Sequence, residues 1–307
     1  MLSFEIKELS IASYEKVLSK KRRKSRLCDA ITNALATVAW REGVRLRTGR
    51  ISARRTGELL EGRPDNTHKW LNYGLGVASP RMYLLNRIEQ ALPGTQWIHT
   101  QVLWDCCDLE KPIGENEREW IRRLDPEIQV ILKRHGVVCA TEKRSHIRSD
   151  AIGLKMLENR ASFDALACLI IQLRAAHAVG NSEACELLGH ACCRMLLLLT
   201  PQLSHYNILR PFGEFVEREL LPLSSNLGGY FCCFWHNGYH AATDALRLRV
   251  SSIAANLNAS GKEGAWLQIA NDVIGGKYGP FTESVVVKSN LQTICSRLHW
   301  LDPFQES

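Results

Sequence analysis

One short segment of the chain combines inward-spaced aromatic residues with a face of hydrogen-bonding side chains. In the segment from Asn66 to Tyr73, the large aromatic residues Trp70 and Tyr73 are spaced to pack inward. The remaining face is polar and carries Thr67, His68, Lys69 and Asn72. These side chains can hydrogen-bond to bases and phosphates, and such a face is small enough for a major groove. The pattern predicts a DNA-reading helix, with Lys69, Asn72 and His68 near base edges.

A second stretch has the side chains of a metal site. Cys232, His236 and His240 are spaced four residues apart, so on one helix they would share a stripe. Two histidines and a thiolate at this spacing can ligate a transition metal. However, no glutamate follows His236 as in HExxH, and the neighbouring aromatic residues are typical of a packed core. We therefore predict no metal site and keep these three residues as weak candidates only.

Other enzymatic motifs are missing from the sequence. The chain has no GxSxG, P-loop or GxGxxG motif and no group of carboxylates typical of a nuclease. We predict that the protein is not an enzyme and that it needs no cofactor. A metal-dependent enzyme built around His236 and His240 is the remote alternative.

Clear helix signals surround the polar face. Asp65 and Asn66 can cap the helix that carries it, and Gly74 with Gly76 can end that helix. Ser79-Pro80 predicts the start of a further helix. Its apolar face would consist of Leu84, Leu85, Ile88 and Leu92, before Pro93-Gly94 stops it. At the ends of these two helices, Arg63 and Arg81 would hold phosphates.

The string KWxxYxxG, followed by SPR, an amphipathic helix and LPG, resembles part of the Cro/C1-type (XRE-like) helix-turn-helix domains of bacterial proteins, in a divergent form. The resemblance covers at most residues 25–108. It implies a first helix from Leu27 to Glu42 and a supporting helix from Ser52 to Glu61, with Leu59 and Leu60 inward. Residues 43–51 would form a long, arginine-rich connection, where the family usually has a short turn.

Positive charge is concentrated in the same part of the chain. Residues 1–98 contain 18 lysines and arginines against 9 acidic residues, a net charge of +9, whereas the remainder has 21 against 23. A basic module joined to a neutral body is typical of a nucleic-acid-binding head with a partner-binding body. The phosphate-contacting candidates are Lys21, Arg22, Arg23, Lys24, Arg47, Arg50, Arg54 and Arg55. A merely solvated basic surface is the alternative interpretation.

The sequence predicts an all-α fold in two domains. Residues 1–110 would form the basic helix-turn-helix domain, and residues 111–307 an α-helical bundle or irregular helical array. Two helices, 162–179 and 182–200, would be joined at Gly180-Asn181. Gly228-Gly229 would open a long helix to about Leu257, and residues 284–298 a final one.

These patterns favour a bacterial transcriptional regulator that binds double-stranded DNA. The C-terminal domain would serve oligomerisation, partner binding or sensing, through a homodimer or a partner protein. The alternative is a non-catalytic subunit of a mobile-element or defence complex that contacts nucleic acid without reading sequence. No apolar run is long enough to span a bilayer and the first residues lack a signal-peptide pattern, so we expect no membrane partner and a cytoplasmic location.

Overall fold

Helices dominate the computed structural model, which describes residues 27–62, 67–135, 147–224, 231–235, 238–257, 264–278, 281 and 284–288. The all-α class predicted from the sequence is confirmed. The predicted basic run at positions 21–24, Arg63, the cap candidates Asp65 and Asn66, and His236 lie outside the described residues. The described residues divide into two compact units, each built from two stretches of chain.

The first unit contains the described residues up to Asp125 together with Thr200–Val216. Its helices are α1 (Leu27–Arg47), α2 (Ala53–Glu61), α3 (Thr67–Gly74), α4 (Met82–Ala91), α5 (Thr95–His99), α6 (Val102–Cys107), α7 (Ile113–Arg123), α12 (Thr200–His205) and α13 (Leu209–Phe215). Helix α1 forms the centre, because nearly all its described side chains up to Val44 are buried. Trp104 of α6 packs edge-on against Phe212 of α13, with ring centroids 5.9 Å apart. The predicted domain boundary after residue 110 therefore falls inside this unit.

The first helix is longer than its sequence indicates. We expected Gly43 to end α1, but the helix continues to Arg47 and ends where Gly49 and Arg50 adopt left-handed conformations. Gly43 is needed for packing instead: a Cβ atom there would lie 2.3 Å from Cδ1 of the buried Ile98. The prediction of a long, arginine-rich connection is therefore wrong, because only residues 48–52 separate α1 from α2.

Helices α2 and α4 differ from prediction in detail. Ser52 caps α2, since its side chain accepts a hydrogen bond from the Arg55 N–H, but only Leu60 of the two leucines points inward and Leu59 is exposed. Helix α4 begins two residues later than the Ser79-Pro80 signal predicts, and it has no side-chain cap. Pro80 is buried and precedes the helix rather than opening it.

The second unit contains Pro126–Leu199 and the described residues from Glu217 onward. Its helices are α8 (Pro126–His135), α9 (Ile147–Arg160), α10 (Phe163–Ala178), α11 (Ser182–Leu198), α14 (Gly238–Asn256) and α15 (Ala265–Ile274). The predicted pair joined at Gly180-Asn181 is confirmed, with caps from Ser162 and Asn181. Helix α10 is buried on every face from its first residue to Ala176, as expected of a central core helix.

The end of α11 is completed by two aromatic side chains. The last carbonyls of a helix have no partner within it. Tyr239 of α14 donates its hydroxyl proton to the Leu196 carbonyl at 3.1 Å, and Trp266 of α15 donates to the Leu198 carbonyl at 3.4 Å. The C-terminal helices are thereby fixed to the core pair within this unit.

Two short strands replace parts of predicted helices. Strands β1 (Phe231–Trp235) and β2 (Ser284–Lys288) pair antiparallel, with Phe231 opposite Lys288 and Trp235 opposite Ser284. Aromatic and β-branched residues dominate both strands, and such residues favour extended structure. The prediction of a helix starting at about residue 228 is therefore wrong, since α14 begins only at Gly238. The prediction of a helix starting at residue 284 is also wrong, because residues 284–288 form β2.

In the described part of the chain, no helix is both long and apolar enough to cross a membrane.

Candidate nucleic-acid interface

Helix α3 is anchored to the first unit by an aromatic cluster. The Trp40 ring of α1 stacks on Trp70 at a centroid distance of 5.6 Å, and Tyr73 meets both rings edge-on at 5.7 and 5.8 Å. Trp70 and Tyr73 are buried, as predicted. These contacts fix which face of α3 points outward.

A buried carboxylate provides a second anchor. Glu61, the last residue of α2, accepts the indole N–H of Trp70 at 2.8 Å and the ammonium group of Lys69 at 2.6 Å. The Glu61 side chain is only 8% exposed, while that of Lys69 is 29% exposed. Lys69, predicted to approach a base, is therefore held at the side of α3 by an ion pair.

The outward stripe of α3 consists of His68, Leu71 and Asn72, which are all exposed. They follow the i, i+3, i+4 spacing that places residues on one face of a helix. Thr67 is half-buried at the start of the helix. The structure thus brings together His68 and Asn72 from the predicted set and adds Leu71, which the sequence analysis did not name.

The first turn of α2 exposes two of the predicted phosphate-contacting residues. The side chains of Arg54 and Arg55 are 71% and 70% exposed. Both guanidinium groups also contact the Glu58 carboxylate, at 3.2 and 3.0 Å. Exposed ion pairs of this kind are weak, so either arginine can exchange its partner for a phosphate at little cost.

The start of α4 lies beside α3. Burial raises the pKa of Tyr73 to about 12; the Glu61 carboxylate and Tyr83 add to the rise, whereas Arg81 opposes it. Arg81 and Tyr83 are therefore close enough to act on Tyr73 electrostatically. Both are exposed, as is Met82 between them.

The two remaining arginine candidates have different surroundings. Arg47 donates a hydrogen bond to the Pro93 carbonyl in the turn between α4 and α5, so its guanidinium group holds two parts of the unit together. Arg50 is exposed just after α1, in a left-handed conformation with φ of 60°. Unlike Arg47, Arg50 makes no hydrogen bond from its guanidinium group to Pro93, and its side chain is exposed.

Charge is segregated along the described residues between Ser52 and Leu92. All four arginines of this stretch are exposed, namely Arg54, Arg55, Arg81 and Arg87. None of its three carboxylates is fully exposed. Glu58 contacts arginines, Glu61 binds Lys69 and Trp70, and Glu89 accepts the backbone N–H groups of Gly94 and Gln96 at 2.5 and 2.7 Å. The four arginines therefore face solvent, whereas Glu61 and Glu89 are engaged in contacts within the unit and Glu58 pairs with Arg54 and Arg55.

The weak metal candidates are not aligned as predicted. Cys232 lies on β1 and His240 on α14, so the expected single helical stripe does not exist. Among the described residues, no group of three or more His, Cys, Asp and Glu side chains could hold a metal ion.

Comparisons with known proteins give no relative for this chain. No protein-family profile, no curated protein and no solved structure matches it. The helix-turn-helix resemblance therefore stays a prediction, and what can be argued about function comes from the residues of α2, α3 and α4.

Proposed function

We propose that the first unit binds double-stranded DNA, with α3 in the major groove and the starts of α2 and α4 on the flanking phosphates. The protein would act as a bacterial transcriptional regulator, in which the second unit serves oligomerisation, partner binding or sensing. A single module of this size buries a small interface with DNA, so specific binding favours a dimer.

The observation that carries this proposal is the charge segregation around the anchored helix α3. Arg54 and Arg55 extend from α2 and the exposed Arg81 directly precedes α4, while Glu61 is turned inward. A backbone-binding surface needs exposed cations on both sides of the groove-facing helix, because phosphates line both edges of a groove. The exposed stripe of α3 then supplies the polar groups that can contact base edges.

A salt titration tests the phosphate contacts. Binding to a random duplex should weaken as salt rises, with a log–log slope set by the number of neutralised phosphates. The double variant Arg54→Ala/Arg55→Ala should bind more weakly and lower that slope by about 2, roughly one unit per lost contact. Arg247→Ala is the matched control, since this exposed arginine of the second unit also pairs with a nearby carboxylate, Asp244, at 3.2 Å.

Sequence reading is tested separately, with fragments of the protein's own genomic locus. Tight binding to one fragment that a Lys69→Ala/Asn72→Ala variant loses, with random-duplex binding retained, would support a regulator. Equal log–log salt slopes for the wild type and the Arg54→Ala/Arg55→Ala variant would contradict the proposed interface.

Exposed apolar side chains favour a second candidate, a subunit of a larger complex. Large apolar residues extend into solvent from α2, α3, the turn after it and α4, namely Leu59, Leu71, Leu75, Met82 and Tyr83. Contiguous exposed apolar groups are typical of protein-binding surfaces. In that case a stable partner would co-purify with the wild type, a Met82→Lys/Tyr83→Lys variant would lose it, and duplex binding would be indifferent to sequence.

A further inference from the structure

We propose that α3 selects A·T base pairs, that Asn72 and Leu71 make this selection, and that Lys69 takes no part in it. This inference rests on the proposed DNA-binding function and adds the class of sequence that is read. It follows from which side chains of α3 reach the surface and which do not.

The first step concerns guanine. Its major-groove edge offers two acceptors, O6 and N7, and the side chains that most often read it are arginine and lysine. Lys69 is the only such residue within α3, and its amine contacts the carboxylate of Glu61 at 2.6 Å. Because Glu61 is almost fully buried, moving Lys69 to a base would leave that carboxylate without its counter-ion. A charged reader of guanine is therefore not presented by this helix.

The second step concerns adenine. Asn72 is exposed at the C-terminal end of the outward stripe. Its amide has one donor and one acceptor side, which match the N7 acceptor and N6 donor of adenine in a bidentate pair. His68, one turn earlier, can donate a hydrogen bond to N7, but this contact does not distinguish adenine from guanine, because both purines have N7. Asn72 is thus the residue of the stripe that distinguishes adenine from guanine.

The third step concerns thymine. Leu71 adjoins Asn72 and is 38% exposed, although Trp70 and Tyr73 already supply the packing that holds α3. The C5 methyl group of thymine is the apolar group on the major-groove edge, and apolar side chains recognise it by contact. In neighbouring A·T pairs, the exposed leucine would therefore contact the methyl group of a thymine, and the adjacent asparagine would pair with an adenine.

The test begins with a randomised 20-bp duplex library, from which the wild-type protein selects its preferred sequence. The selected duplex is then remade with deoxyuridine in place of thymidine, which removes only the methyl group, and with 7-deazaadenine in place of adenine, which removes N7. Loss of one buried methyl group corresponds to about a three- to fivefold weaker binding. Loss of N7 removes one of the two hydrogen bonds of the bidentate pair, which corresponds to roughly a two- to tenfold weaker binding.

We expect fixed A·T positions in the selected sequence and sensitivity of the wild type to both replacements. Leu71→Ala should lose the sensitivity to deoxyuridine. Asn72→Ala should lose the preference for adenine over guanine and part of the sensitivity to 7-deazaadenine, with the remainder due to His68 at N7. Lys69→Ala should select the same bases as the wild type. Leu248→Ala and Asn256→Ala alter exposed residues of the second unit and should respond to both duplexes as the wild type does.

Three outcomes would overturn the proposal while leaving DNA binding intact: a selected sequence fixed at G·C positions, tight binding with no fixed positions, or an unchanged deoxyuridine penalty in Leu71→Ala. A changed base preference in Lys69→Ala would overturn the part that concerns lysine. Failure to retain any duplex at low salt would instead refute the DNA-binding function itself.

Discussion

Removal of the Glu61 carboxylate should destabilise the first unit, and the size of the effect can be worked out from its two partners. In Glu61→Ala the buried indole N–H of Trp70 loses its acceptor at 2.8 Å. An unsatisfied buried donor costs about 1–3 kcal/mol. The lost ion pair with the partly exposed Lys69 adds at most about 1 kcal/mol. We therefore expect a decrease of about 1–4 kcal/mol in the free energy of unfolding.

Glu61→Gln separates the two contributions. Glutamine keeps a carbonyl oxygen for the Trp70 N–H and removes only the charge that faces Lys69, so we expect a loss of about 1 kcal/mol or less. The control is Glu58→Ala, because Glu58 contacts only exposed arginines and its removal should leave the unfolding midpoint nearly unchanged.

The assay is chemical denaturation of the full-length chain, followed by the far-ultraviolet circular dichroism of its helices, a signal that remains in every variant. A double-mutant cycle with Trp70→Phe should give a coupling energy of roughly 1–2 kcal/mol between Glu61 and the indole N–H. Equal stabilities of Glu61→Ala and Glu61→Gln, or a coupling energy near zero, would refute the role of this hydrogen bond.

Three further predictions concern other parts of the molecule. Gly43→Val should lower the free energy of unfolding by about 1–3 kcal/mol through overpacking against Ile98. Gly114→Ala should raise it by about 0.5–1 kcal/mol, because its new Cβ atom meets no atom within 4 Å. The denaturant midpoints of the two variants test both predictions. Glu89→Ala should cost about 1 kcal/mol at neutral pH, as does loss of a helix cap. Backbone hydrogen bonds hold the Glu89 pKa below 4.5, so the contribution of this carboxylate is present above that pH and lost as pH falls; a gap between variant and wild type that stays constant down to pH 3 would contradict this. Burial lowers the pKa of His99 to about 4 from 6.5, so on acidification the unfolded state binds the proton before the folded state does. The free energy of unfolding should therefore fall between pH 6.5 and 4 by up to about 1.4 kcal/mol per pH unit. His99→Gln should flatten that dependence in denaturation experiments at several pH values, and an unchanged profile would exclude His99 as its source.

The sequence allowed prediction of the elements whose signals are local. The helix pair joined at Gly180-Asn181 was predicted correctly, and Ser162 and Asn181 cap its helices through N–H groups only three residues away. The inward positions of Trp70 and Tyr73 followed from helical spacing alone. In these cases local preference and final packing agree.

Two of the failures arise from contacts between residues distant in sequence. Gly43 was interpreted as a helix end, yet its role is set by Ile98, 55 positions away in the chain. Helical spacing from Cys232 to His240 likewise gave no sign that β1 pairs with a strand more than 50 residues later.

The interleaved chain path of the two units has a consequence for folding and for truncation. The first unit needs residues 200–216, which are synthesised only after most of the second unit's core helices, and the second unit then needs residues beyond 217. Neither unit can therefore complete its core early during translation. A fragment that ends at residue 110 or 125 would leave the edge of Trp104 that Phe212 covers open to water, and aggregation of such fragments is the expected result.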